Sequence, residues 1–156
     1  MFLAKDIMTA STIAIKQDDN VKTALDLLAK HNISGLPVVD EEQQVIGIIS
    51  GSDILRYSQQ KKVIPKSSSS FWVSPYTETE DIAMVRSGFE ILHRTLISDV
   101  MTGKVYTVHE DAPISEVAKL MINRTINRVP VVNGEGKLAG IISRADIVKF
   151  MAGTES

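Results

Sequence analysis

The sequence predicts an α+β protein in which one small unit, running strand, helix, strand, strand, helix, is used twice. The main observation is a repeat. Pro37-Val38-Val39, a polar turn and Gly47-Ile48-Ile49-Ser50-x-x-Asp53-Ile54 return as Pro130-Val131-Val132, a polar turn and Gly140-Ile141-Ile142-Ser143-x-x-Asp146-Ile147, at a constant offset of 93 residues without a gap. The same offset pairs Asp6-Ile7-Met8-Thr9 with Asp99-Val100-Met101-Thr102, Asp18 with Asp111, Leu27 with Leu120 and Ile33 with Ile126. Self-similarity at a fixed offset marks a duplicated structural unit. The second observation is that hydrophobic periodicity changes within each copy from strand-like to helical and back.

Each element follows from local chemistry. Ile13-Ala14-Ile15 is a short β-branched run read as a strand, with Val105-Tyr106-Thr107-Val108 as its counterpart. Asp18, Asp19 and Asn20 offer capping oxygens to a helix whose apolar stripe is Val21, Ala24, Leu25 and Leu28. The second copy repeats that stripe as Ile114, Val117, Ala118 and Met121, with Pro113 where a first helical turn tolerates it. Pro37 then opens a strand, residues 40–44 turn, and Val45 to Ile49 form a second strand, so a hairpin is expected before a closing helix from Ser52. The helices should share one face of a small mixed sheet.

The expected organisation is a first repeat over 1–58, a connecting insert over 59–97 and a second repeat over 98–156. The insert is too long to be a structureless loop in a compact domain. Its serine run, Ser67 to Ser70, buries nothing, whereas Thr77 with Glu80 has capping-box spacing and Ile82, Val85, Phe89, Leu92 and Leu96 recur at helical steps, which predicts a helix over 78–96. Phe71, Trp72 and Tyr76 precede that helix and are candidates to pack on it.

Composition narrows the function. Seventeen Lys and Arg against nineteen Asp and Glu give a net charge of −2 with no basic stripe, which disfavours nucleic acid as a partner. The absence of cysteine removes disulfides, thiolate nucleophiles and thiolate metal sites. No apolar run approaches the length of a membrane span and the N-terminus has no signal-peptide core, so a cytoplasmic protein away from membranes is expected. His31, His93 and His109 stand apart from any recurring carboxylate or serine spacing; no catalytic constellation and no metal site are expected, and an enzyme is the disfavoured class.

The repeated unit, with its Pro-Val-Val step, its Gly-Ile-Ile-Ser-x-x-Asp and its leading Asp-Ile-Met-Thr or Asp-Val-Met-Thr, resembles the CBS-domain pair family, tandem regulatory modules named after cystathionine β-synthase. The resemblance covers both copies, about two thirds of the chain. It implies two repeats packed sheet to sheet with pseudo-twofold symmetry, and two clefts that take adenosine-containing ligands such as AMP, ADP or ATP. Carried over by position, Asp53 and Asp146 would accept hydrogen bonds from ribose hydroxyls with Ser50 and Ser143 beside them. Arg128 and Arg144 would hold phosphate. Ile13, Tyr106, Ile33 and Ile126 would wall the base.

Each of these residues also has a plain structural reading. Ser-x-x-Asp at a helix start is a capping box, an exposed arginine is a solvated one, and Ile13, Ile33 and Ile126 read as core. Arg128 and Arg144 face Gly35 and Gly51 at the repeat offset, so positive charge is concentrated in the second copy. The function expected is a non-catalytic module that senses an adenine nucleotide as a regulatory ligand, needs no cofactor, pairs as a homodimer through apolar helix faces (Ile54, Leu55, Tyr57, Ile147, Val148, Phe150 and Met151) and passes its state to an effector protein. The alternative is a ligand-free interaction scaffold.

Overall fold

The computed structural model describes residues 1–10, 12–60, 87–88 and 90–153. In chain order the elements are α1 (Ala4–Ile7), β1 (Ile15–Lys16), α2 (Val21–His31), β2 (Gly35–Val39), β3 (Val45–Ser50), α3 (Gly51–Gln60), α4 (described at 87, 88 and 90–94), a 3-10 turn (Ile97–Asp99), β4 (Val108–His109), α5 (Ile114–Arg124), β5 (Arg128–Val132), β6 (Leu138–Ser143) and α6 (Arg144–Met151). The strands form two three-stranded sheets, β1-β2-β3 and β4-β5-β6. The strand-helix-strand-strand-helix order therefore appears in both copies.

The leading strands start two and three residues later than periodicity suggests, at Ile15 and Val108. In the second copy β4 joins β5 in parallel only from Val108, opposite Val131. The residue before Val131 is Pro130, which has no N–H to give to a ladder extended upstream. The expected helix stripes are present: Val21, Ala24 and Leu28 are buried on α2, and Ile114, Val117 and Met121 on α5, while Leu25 and Ala118 are half-buried. Asn20 caps α2 by accepting from the Thr23 N–H at 2.8 Å. Pro113 is the N-cap of α5 rather than a residue of its first turn.

The chain divides into two compact units that interleave the copies. One contains Met1–Ala14, Pro37–Gly47 and Gly103–Ser156, the other Ile15–Leu36 and Ile48–Thr102. In the first unit the leading segment of copy one lies on copy two: Ala4 N–H donates to Ala112 O at 2.7 Å, and Thr9 exchanges backbone hydrogen bonds with Ile141 at 2.9 and 3.1 Å. Its core joins Ala4 to Val108, Val117, Val129, Val131, Ile142 and Ile147. In the second unit Thr102 makes the same exchange with Ile48, at 2.8 and 3.0 Å, and Ile97 N–H donates to Asp19 O.

Several expectations need correction. Ile54 and Ile147 are buried, at 4% and 7% exposure, because they are the inward positions of α3 and α6; their neighbours Leu55 and Val148 point out, each 56% exposed. Phe150 is half-buried against the second-copy core and edge-on to Phe2. Ile33 is not core either: it follows Asn32, which ends α2 in the left-handed conformation (φ 52°), and is 39% exposed. The helix before copy two ends by residue 94. The Thr95 hydroxyl donates back to Ile91 O at 2.7 Å, and Leu96 leaves in extended conformation to bridge Asn20, so it is exposed rather than part of a helical stripe. Phe71, Trp72, Tyr76, Phe89, the serine run and the start of the 78–96 helix lie outside the described residues. Among the described residues no helix is long and apolar enough to cross a membrane, and no group of three His, Cys, Asp or Glu could hold a metal ion.

Candidate functional site

The two Ser-x-x-Asp motifs sit where a strand ends and a helix begins. Ser143 closes β6 and caps α6: its Oγ accepts from the Asp146 N–H at 3.2 Å, while its own N–H donates to Asp146 Oδ2 at 2.8 Å. Ser50 and Asp53 repeat the arrangement at the β3–α3 junction, at 3.2 and 2.9 Å, and the Ser50 hydroxyl adds a bond to Asp53 Oδ2 at 3.0 Å. The capping function is thus real at both positions, and it uses only one carboxylate oxygen of each aspartate.

The second oxygen separates the two sites. Asp53 Oδ1 accepts from the Thr102 hydroxyl at 3.2 Å and lies 3.4 Å from Arg56 Nη1, and the residue is buried, with 8% exposure. Asp146 is half-buried, and among the described residues nothing hydrogen-bonds or ion-pairs to its Oδ1. A carboxylate offers about four acceptor positions. At Asp53 four donors fill them; at Asp146 the Ser143 N–H takes one, and Oδ1 takes none from the described residues.

Arg128, the first residue of β5, is directly across the antiparallel ladder from Ser143. Residues so paired carry their side chains on one face, so the second copy gathers a guanidinium, a serine and an aspartate at one strand end. Arg144, the first residue of α6, lines a cleft of about 260 Å³ with Met121, Ile126, Ile147 and Met151. Ile126 thereby reaches both that cleft and the core. Tyr106 is half-buried and carries the Arg124 guanidinium 4.8 Å from its ring centre, a cation–π contact that occupies one face. Ile13 is half-buried in the same unit as Tyr106. Sequence reasoning missed Arg56, Thr102 and Arg124. Arg56 was legible as an i, i+3 partner of Asp53; the reach of Thr102 and Arg124 depends on tertiary placement.

The CBS domain family model matches this chain twice, at residues 4–60 and 97–153. An uncharacterized protein of Methanocaldococcus jannaschii is 33% identical over 155 residues, covering 97% of this chain and 92% of that protein. L-aspartate semialdehyde sulfurtransferase of the same organism is 30% identical over 151 residues, but this chain spans only 23% of its length. The crystal structure of the CBS domain pair of protein MJ0100, in complex with 5′-methylthioadenosine and S-adenosyl-L-methionine, superposes with a TM-score of 0.74 at 29% identity and covers 99% of both chains.

Proposed function

The chain belongs to the CBS-domain family, and from that premise we propose that it is a non-catalytic regulatory module that takes up an adenosine-containing ligand at its Ser-x-x-Asp junctions and signals through a change of conformation or assembly. The observation that carries this reading is Asp146, a half-buried carboxylate with one oxygen spent on a cap and the other open. Such an oxygen accepts from the neighbouring hydroxyls of a ribose. Ser143 lies beside it, Arg128 and Arg144 supply charge for phosphate, and Tyr106 and Ile126 supply apolar surface for the base; Asp53, Ser50, Ile13 and Ile33 hold the matching positions of the first copy. The similar MJ0100 domain pair holds two adenosine-containing molecules. AMP, ADP and ATP are the ligands we favour here, because guanidinium groups hold phosphate oxygens in pairs.

The exposed side chains of Ile122, Val148 and Met151, at 76%, 56% and 77%, form an apolar surface on α5 and α6 suited to a second copy of the chain or an effector protein. That surface is also what favours the second reading, a ligand-free interaction scaffold. Thermal-shift screening with AMP, ADP, ATP, NAD and S-adenosyl-L-methionine separates the two. A ligand at 100 times its Kd adds about 2.7 kcal/mol of stability, about 5 to 10 °C for a chain of this size. A melting temperature indifferent to all five leaves the scaffold.

A further inference from the structure

We infer that Thr102 is an internal substitute for a ligand hydroxyl at Asp53, so that the second-copy aspartate, Asp146, is the receptive one and the first-copy site opens only when Thr102 is turned away. The inference rests on the adenosine-binding reading above and adds which site fills first and what holds the other shut.

The geometry is specific to the first copy. Thr102 is fixed by its two backbone hydrogen bonds to Ile48, and from there its Oγ1 donates to Asp53 Oδ1 at 3.2 Å, with the Arg56 guanidinium at 3.4 Å on the same oxygen. The repeat offset makes Thr9 the counterpart of Thr102, and Thr9 is fixed in the same way on Ile141. Its hydroxyl does not reach Asp146, however, and the position of Arg56 is held at the offset by Lys149. Two identical threonines in matching isolated bridges thus leave one carboxylate saturated and the other open among the described residues.

The energetic consequence follows from exchange. At Asp146 a ribose diol displaces water from an open oxygen and gains charge-assisted hydrogen bonds. At Asp53 the same diol must displace a hydroxyl already bonded to a desolvated carboxylate, so it trades one O–H···O bond for another and gains little. Occupation of Asp53 also frees the side chain of Thr102, which lies just after the 3-10 turn that leads into the second copy. Ligand at the first site is therefore coupled to the rotamer of Thr102, while its backbone bonds to Ile48 hold the segment.

The test is calorimetric titration of the full chain with AMP and with 2′,3′-dideoxy-AMP. Wild type should bind AMP with a dependence on Asp146, and Asp146→Ala should weaken that binding at least tenfold while keeping a cooperative melt. Adding Thr102→Val to Asp146→Ala should tighten AMP about tenfold relative to the Asp146→Ala parent, the factor carried by one released hydrogen bond, without tightening the dideoxy ligand. Thr102→Ser, which keeps the hydroxyl, should leave the parent unchanged. If Thr102→Val and Thr102→Ser bind alike, the inference is overturned and the adenosine reading stands; if Asp146→Ala retains wild-type affinity, both are overturned. Wild type that gives no heat with AMP removes both.

Discussion

At the scale of single residues, the repeated glycine shows what the duplication preserves. A Cβ on Gly140 would lie 2.8 Å from the Thr9 carbonyl oxygen and 2.6 Å from Met8 Sδ. The thioether can swing aside, but the carbonyl is held by the Ile141 N–H at 3.1 Å. Gly140→Ala should therefore destabilise by about 1 to 3 kcal/mol, the usual cost of overpacking, whereas Gly51→Ala, which meets nothing within 4 Å, should be close to neutral. Equal unfolding midpoints for the two variants would refute this reading of Gly140. Arg128 yields a second expectation. Its substitution by Ala should cost roughly 1.5 to 3 kcal/mol of AMP affinity and almost none for adenosine, with the AMP loss shrinking as salt rises; equal losses for both ligands would move the phosphate elsewhere. The motifs themselves were plain in the sequence, because a gapless offset exposes them. What separates Asp53 from Asp146 was not, since Thr9 and Thr102 are the same residue type at matching positions, and only distance distinguishes a hydroxyl that reaches a carboxylate from one that does not.

At the scale of elements, helix existence was legible and helix orientation less so. Ile54-Leu55 and Ile147-Val148 are adjacent apolar pairs, and consecutive helical residues point about 100° apart, so one of each pair faces outward whatever the pattern. Only packing selects which. The short α1 shows how an element too short to stand alone is held. Its Lys5 Nζ lies 3.0 Å from Asp111 Oδ1. The hydrogen bond to Lys5, with its charge, draws the Asp111 carboxyl below its ordinary range, and Asp111 likewise raises Lys5. A lowered carboxyl contributes stability above its unfolded value, near 3.8, and loses it as pH falls through the folded one; a raised amine contributes below 10.5 and loses it as pH climbs. Both groups are solvent-exposed, so the effect should be small and screened by salt. The stability difference between wild type and Asp111→Asn should be flat through neutrality and vanish in strong acid. A difference unchanged at low pH would show that the pair does not tether α1.

At the scale of the whole molecule, each leading Asp-x-Met-Thr segment is paired with the hairpin of the opposite copy, through Thr9 on Ile141 and Thr102 on Ile48. This exchange was invisible to the offset, which aligns each segment with its own repeat and says nothing about which hairpin it pairs with. The apolar surface at Ile122, Val148 and Met151 leads us to expect a homodimer; sedimentation at tens of micromolar should find it with or without nucleotide, and only monomer in both conditions would remove it. The account as a whole depends on one carboxylate doing two tasks, capping a helix and receiving a ribose. Titrating AMP calorimetrically into wild type and Asp146→Ala, with melting curves for both, separates those tasks. Loss of the cap should lower stability by about 1 kcal/mol, while loss of the ribose contact should weaken binding by about 1.5 to 3 kcal/mol, at least tenfold. A variant that melts earlier yet binds AMP as wild type does would leave Asp146 a cap alone and contradict the central claim.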